Sequence, residues 1–211
     1  MKFFVIIFIG FWLISCSSDI VKIDNYENSQ KALLVIDMQM DYLNEDGKYP
    51  IEISQMDNLI ITVNEIINEF HINDIKIIYF RNIFKNNFLR ALFNFPVIEG
   101  TPGAEIDPRI NIITEYIFDK YSGSAFSNVN FENILLQNRI NELYIVGVTA
   151  DECVYDTALA GLERGYIINI YANGIGAKNN RNIEKAIKRI SDRGASIIFH
   201  WKSKKPSSNK R

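Results

Sequence analysis

Cys153 stands where a thiol could act as a nucleophile. It closes the stretch Leu143-Tyr-Ile-Val-Gly-Val-Thr-Ala-Asp-Glu-Cys153, in which an apolar run ends at Gly147 and a short polar turn leads into a helical pattern. A thiol in the first turn of a helix, just past the carboxyl end of a buried strand, sits among converging backbone N–H groups. Those groups and the helix dipole favour the thiolate over the thiol. They also offer donors to an oxyanion on whatever carbonyl the sulfur attacks. A lone cysteine is equally at home as a small core residue, so a reactive reading needs a base and a cation nearby. Asp37 follows the apolar run Ala32–Ile36, and Lys120 follows the run Glu115–Phe118. A carboxylate can accept the thiol proton and return it to a leaving group. An ammonium can stabilise the thiolate and orient the carboxylate. Singly, an Asp after a strand caps a turn and a strand-end Lys is solvated. Together, at three strand ends of one sheet, they make a constellation.

The elements that must position these residues alternate along the chain. Apolar runs at Ala32–Ile36, Ile75–Phe80, Glu115–Phe118, Leu143–Val146, Tyr166–Ala172 and Ala195–Phe199 read as six strands. Helical spacing marks Met56–Phe70, Phe131–Leu136, Asp151–Arg164 and Asn182–Arg193. Strands that are apolar throughout, separated by helices, imply an α/β fold: three α/β/α layers around a central six-stranded parallel sheet. Ligands of such sheets bind beyond the carboxyl ends of the strands. The long connection 82–113 carries Phe84, Phe88, Phe93 and Phe95, which suits a segment that shapes a pocket or a subunit contact. Gln39, Phe80, Phe84 and Phe126 are candidate substrate contacts by position. Gly174-Ile-Gly176 lacks the third glycine of a nucleotide loop.

The chain has 211 residues, 47% apolar and 23% charged, with a net charge of −2. That suits one domain with a proper core and gives no basic surface for nucleic acid. The amino terminus is a separate object. After Met1-Lys2 comes the apolar run Phe3–Ile14, too short to cross a bilayer but suited to the h-region of a signal peptide. It ends in Leu13-Ile-Ser-Cys16, which resembles the bacterial lipobox. The resemblance implies cleavage before Cys16, a diacylglycerol on its sulfur, and an exported lipoprotein anchored to a membrane facing the periplasm or cell surface. The expected organisation is a leader over 1–15, a tether over 16–30, a domain over 31–201 and a basic tail over 202–211. With Cys16 lipidated, Cys153 is the one free thiol of the two cysteines.

Four stretches resemble the isochorismatase-like cysteine hydrolases, which include nicotinamidases, N-carbamoylsarcosine amidase and isochorismatase itself. They are Leu34-Val-Ile-Asp37-Met-Gln39-Met-Asp41-Tyr, Glu99-Gly-Thr-Pro-Gly-Ala-Glu105-Ile, Lys120 with Ser124-Ala-Phe126, and Gly147-Val-Thr-Ala-Asp-Glu-Cys153-Val. The resemblance implies a Rossmann-type topology, an Asp37–Lys120–Cys153 triad, and a cis peptide between Val148 and Thr149. It implies an oxyanion hole from the Thr149 and Cys153 N–H groups, a thioester on Cys153, and dimers or tetramers. Metal-dependent nicotinamidases are similar to one another in an Asp-x-His pair after the second strand, with a further His downstream. This chain has Phe80-Arg81-Asn82 there, and its two histidines, His71 and His200, make no cluster, so no metal or other cofactor is expected. Two further departures are Asn173, where the family has Asp, and Asn128-Val129 after Ser-Ala-Phe.

The leading expectation is a metal-independent hydrolase of a small amide, carbamoyl or ureido compound. A vinyl-ether hydrolase of the isochorismatase type would use the carboxylate without needing the thiol. A surface-binding lipoprotein with little turnover is the third reading.

Overall fold

The computed structural model describes residues 30–85 and 87–200, together with Ile23 and Asn28. The expected leader, all but three residues of the tether, and the tail lie outside the described residues. Six strands follow in chain order: β1 Gln30–Ile36, β2 Lys76–Asn82, β3 Ile117–Lys120, β4 Ile140–Val148, β5 Ile167–Gly176 and β6 Ser196–Ile198. Between them come α1 Met40–Leu43, α2 Ile53–Ile72, α3 Phe88–Leu92, α4 Val129–Gln137, α5 Tyr155–Glu163 and α6 Asn180–Ser191. The strands form one sheet in the order β3-β2-β1-β4-β5-β6, with every neighbouring pair parallel.

Two cores explain why the strands are apolar on both sides. On one face Leu34, Ile36, Ile145 and Ile170 pack with Phe131 and Leu135 of α4, Ala158 of α5, and Ala186 and Ile190 of α6. On the other, Leu33, Val35 and Val146 pack with Leu59, Val63, Ile66 and Ile67 of α2. The helix pattern is legible in α2, where Met56, Leu59, Ile60, Val63, Ile66, Ile67 and Phe70 are buried at intervals of three and four. In α6 the Asn179 side chain accepts the Asn182 N–H, satisfying one orphan donor of the first turn.

The chain moves outward from β1 through β2 to β3, then returns to β4 on the other side of β1. That reversal opens a crevice at the carboxyl ends of β1 and β4, where doubly wound sheets bind ligands. The two strands approach closely there. Gly147 pairs with Ile36 and has φ +123°, and a Cβ at this position would collide with the Ile36 carbonyl. Glycine is required by both conformation and space.

The connection 82–113 folds over one side of the crevice. Asp41 holds it: Oδ2 accepts the Val97 N–H at 2.6 Å, and Oδ1 accepts the Lys48 N–H at 3.3 Å. Phe84 N donates to the Val97 carbonyl at 3.0 Å, and Glu99 N donates to that of Phe84 at 2.9 Å. The segment thereby brings the Phe84 and Phe95 rings edge to face, 6.0 Å between centroids.

Candidate active site

The structure brings Asp37, Lys120 and Cys153 together from three elements. Asp37 is the first residue beyond β1 and turns the chain with φ 51°, a left-handed conformation that Asp tolerates better than most residues. Its N–H donates to the Phe80 carbonyl at 3.0 Å, extending the β1–β2 ladder by one rung. Lys120 is the last residue of β3 and not a residue past it, because the register with β2 begins only at Tyr79↔Ile117. β3 lies two strands from β1, roughly 10 Å at ~4.8 Å per strand, so a long side chain is needed to reach Asp37. Cys153 lies in a π-helical turn, Ala150–Val154, that precedes α5. Here the expected helix start is shifted: the α-helix begins at Tyr155, and the thiol sits in the wider turn before it.

Lys120 Nζ lies 2.9 Å from Asp37 Oδ2 and 3.2 Å from Cys153 Sγ. It also donates to the Ser122 carbonyl at 3.1 Å. Asp37 and Lys120 are fully buried, and Cys153 is 6% exposed. Burial pushes the Asp37 carboxyl above its ordinary range, and the Lys120 charge opposes this. Burial works against the Lys120 ammonium, but the neighbouring Asp37 carboxyl, and Cys153 after it, outweigh it and push Lys120 up. The thiol departs from expectation. Burial first, and the negative Asp37 second, push Cys153 well above the usual thiol range, with Lys120 offsetting only part. A helix dipole acts as about half a charge and falls off within a turn, so it cannot match a full carboxylate in contact. Burial and Asp37 thus hold Cys153 as a thiol beside the close Asp37–Lys120 pair.

The peptide between Val148 and Thr149 is cis. Thr149 is 3% exposed, and its carbonyl accepts the N–H groups of Glu152 and Val154, both at 3.2 Å. Its hydroxyl donates to Glu152 Oε2 at 3.1 Å, while the Tyr49 hydroxyl donates to Oε1 at 3.3 Å.

Of the four expected substrate contacts, one lines a cavity. Phe84 borders a space of about 220 Å³ together with Tyr42, Tyr49, Asn82, Phe95 and Glu152. Gln39 is fully buried and its carboxamide is spent on backbone. Nε2 donates to the carbonyls of Asn82 and Ala104 at 2.9 and 2.7 Å, and Oε1 accepts the Asn82 N–H at 2.8 Å. Gln39 therefore holds the end of β2 in place and leaves no group for a ligand. Phe80, 1% exposed, packs edge to face on Phe131 at 4.8 Å, and Phe126 packs on Phe131 and Tyr166 at 5.0 and 5.5 Å. Both rings turn into the core because alternation along β2, and the 3-10 turn Ala125–Ser127, point them at α4. Glu152 and Asn82 were signalled only by lying inside or beside the motifs; nothing in the sequence marked Tyr49.

Asn173 lies within β5, not beyond it, and pairs with the His200 backbone at 2.8 and 3.0 Å. The Asn128 side chain caps α4 and donates to the Asp119 carbonyl. His200 sits 3.1 Å from Glu69, away from the triad. Among the described residues, no three of His, Cys, Asp and Glu are grouped to hold a metal ion. At the end of β2, Arg81 is committed to Asp119 at 2.8 and 3.1 Å and to Glu105 at 2.6 Å.

Residues 31–200 match the Isochorismatase domain family. Over 130 residues the chain is 27% identical to an N-carbamoylsarcosine amidase of Arthrobacter sp, covering 56% of this chain and 49% of that protein. It is also 27% identical over 128 residues to the probable hydrolase YcaC of Escherichia coli, covering 54% and 62%. The aligned part is thus less than two thirds of each of these curated relatives. Among solved structures, the pyrazinamidase of Pyrococcus horikoshii in complex with zinc superposes with a TM-score of 0.72 at 26% identity, covering 81% of this chain and 99% of that one. The nicotinamidase PncA of Bacillus subtilis superposes at 0.73 and 23% identity, covering 81% and 100%, a likeness of fold. A zinc site does not fit the residues present here, where β2 ends in a guanidinium and a carboxamide.

Proposed function

From the premise that the chain belongs to the isochorismatase domain family, we propose that it is a cysteine hydrolase cleaving a C–N bond in a small amide, carbamoyl or ureido compound. The observation that carries this reading is Lys120 Nζ placed 2.9 Å from Asp37 and 3.2 Å from Cys153 Sγ in a buried crevice. The buried thiol stays protonated until a substrate arrives, and Asp37, with its carboxyl pushed up by burial, is a fitting acceptor. As Cys153 Sγ bonds to the substrate carbonyl carbon, its proton passes to Asp37. The carbonyl oxygen becomes an oxyanion, received by the N–H groups of Thr149 and Cys153. Collapse breaks the C–N bond, and Asp37 returns the proton to the departing amine. Water then attacks the thioester, giving up a proton to Asp37, and the carbon–sulfur bond breaks to restore the thiol. Lys120 stays charged throughout and balances whichever of Asp37 and Cys153 is negative. No metal is required for any of these steps.

The test is ammonia release from a panel of primary amides and ureides by the purified chain. Wild-type protein turns over at least one class, and Cys153→Ala abolishes that turnover. Ammonia release that survives Cys153→Ala removes the thioester, and vinyl-ether cleavage that survives it, without ammonia release from any amide, favours the vinyl-ether hydrolase.

We further propose that Cys16 carries a lipid and that the domain is exported and membrane-anchored. The support is the apolar run Phe3–Ile14, which ends in Leu13-Ile-Ser-Cys16. Among the described residues, no helix is long and apolar enough to cross a membrane. Mass analysis of membrane-extracted protein checks this, and an unmodified Cys16 refutes it.

A further inference from the structure

The cavity of about 220 Å³ beside the triad has an unusual balance of groups. Its walls are aromatic, with Phe84 and Phe95 edge to face at 6.0 Å and Tyr42 and Tyr49 alongside. Among the described residues Glu152 is the one charged residue that lines it, and it immediately precedes Cys153 in the chain. Each of its carboxylate oxygens accepts one hydroxyl, from Tyr49 and from Thr149. Among the described residues no lysine or arginine pairs with it. Lys178 places its Nζ over the Tyr49 ring, 3.4 Å from its centroid. That aromatic face therefore already takes a cation.

Asn82 supplies a second, independent observation. It is 6% exposed, lines the same cavity, and its Oδ1 is buried without a hydrogen-bond partner. A buried amide oxygen left unpaired costs stability unless a ligand completes it. Gln39 holds its backbone in register on both sides, so the side chain is fixed where it stands. The cavity thus presents an uncompensated carboxylate, an unpaired carbonyl oxygen and π-faces. The Tyr49 and Thr149 hydroxyls are engaged on Glu152, and Tyr42 shares a side-chain hydrogen bond with Asn82 that leaves Oδ1 open. An anionic ligand would find no cation among the described residues that line the cavity. A ligand bearing positive charge and N–H donors completes every open group, with the ring faces adding cation–π attraction.

We propose that this cavity selects amides whose acyl substituent carries a cationic nitrogen, with Glu152 as counter-ion, Asn82 Oδ1 as acceptor, and Phe84 and Phe95 as walls. The proposal rests on the reading of Cys153 as an amide-cleaving nucleophile for its catalytic consequence, but not for its binding consequence.

The experiment compares three probes of similar length: 3-aminopropanamide, a cation; butanamide, neutral; and succinamate, an anion. Binding is measured by calorimetry on the full-length Cys153→Ala protein in detergent, and ammonia release on the wild type. The cation binds about tenfold or more tightly than the neutral amide at low salt, and the anion binds weakest. Raising the salt narrows the gap. Adding Glu152→Gln removes the cation's advantage over butanamide, and in the wild-type background the same substitution raises KM for the cation by a larger factor than KM for butanamide. Glu152 is exposed, so its replacement does not threaten folding. Equal binding of the three probes, preference for the anion, no binding of the cation, or a preference that survives Glu152→Gln would each overturn the proposal. Ammonia release without charge preference would leave the hydrolase reading standing and remove this one. Cation-selective binding without ammonia release would do the reverse.

Discussion

Lys120 reaches across β2 to place its ammonium 2.9 Å from the Asp37 carboxylate, and both side chains are fully buried. A buried pair of this kind gains little over apolar packing, but removing one partner leaves the other charged and unsolvated. The pair is therefore better understood as machinery held in place by mutual dependence.

That dependence is measurable. Lys120→Met strands Asp37 and is expected to lower stability by about 3–5 kcal/mol, seen as a reduced denaturation midpoint, with hydrolysis lost. A double replacement, Asp37→Leu with Lys120→Met, recovers much of that stability while staying inactive. If the single variant is as stable as wild type, the ion pair is not intact in solution.

The thiol offers a sharper test, because the two charges beside it act in opposite directions. Burial and Asp37 raise Cys153, and Lys120 lowers it. Wild-type protein should react slowly with iodoacetamide at pH 7, with the rate still climbing past roughly pH 8.5, where an unperturbed thiol levels off. Asp37→Asn removes the negative neighbour and leaves the ammonium. Alkylation at pH 7 should then rise by at least about tenfold, the equivalent of one pKa unit, although turnover disappears. A slower reaction in Asp37→Asn would contradict the assigned roles.

The same raised thiol makes stability depend on pH in a defined direction. The folded state keeps its proton when the unfolded chain begins to lose it, near pH ~8.5. The contribution is therefore complete below that pH and is lost as pH rises from there toward the folded value. Unfolding titrations from pH 7 to 10 should show a decline that is shallower in Cys153→Ala. Parallel slopes for the two proteins would deny the shift.

Gln39 joins the loop after β1 to the end of β2 through three hydrogen bonds. Gln39→Leu leaves the Asn82 N–H and two buried carbonyls unpaired, at about 1–3 kcal/mol each before relaxation. Asn82 loses its register as a result, so KM should rise beyond what the loss of folded protein explains. A change in stability with unaltered KM would confine Gln39 to a scaffold role.

Gly147→Ala should be among the most disruptive single changes. The added Cβ meets the Ile36 carbonyl, and φ +123° disfavours any side chain. A loss of about 3 kcal/mol or more is expected, read by thermal melting of the variant against wild type. Wild-type stability there would mean β1 and β4 are further apart than described.

Much of this was written in the linear order of residues. The runs Ala32–Ile36 and Leu143–Val146 announce buried parallel strands because both faces are apolar, and α2 announces itself by its three-and-four spacing; these are short-range patterns imposed by backbone geometry. Asp37, Lys120 and Cys153 stand at strand ends, and strand ends of a parallel sheet share one edge, so the constellation could be read before any contact was known. What could not be read depends on neighbours distant in the chain. Phe80, Phe84 and Phe126 are the same residue type near the same edge, yet two rings fill the core under α4 and one lines a cavity, a choice made by α4 and by the connection that Asp41 holds down. The direction of the Cys153 shift was likewise a tertiary matter. Local sequence supplies a dipole that favours the thiolate, but burial and the contact with Asp37 exist only once β1 and β4 lie side by side in the sheet, and a full charge at contact distance outweighs a terminal dipole.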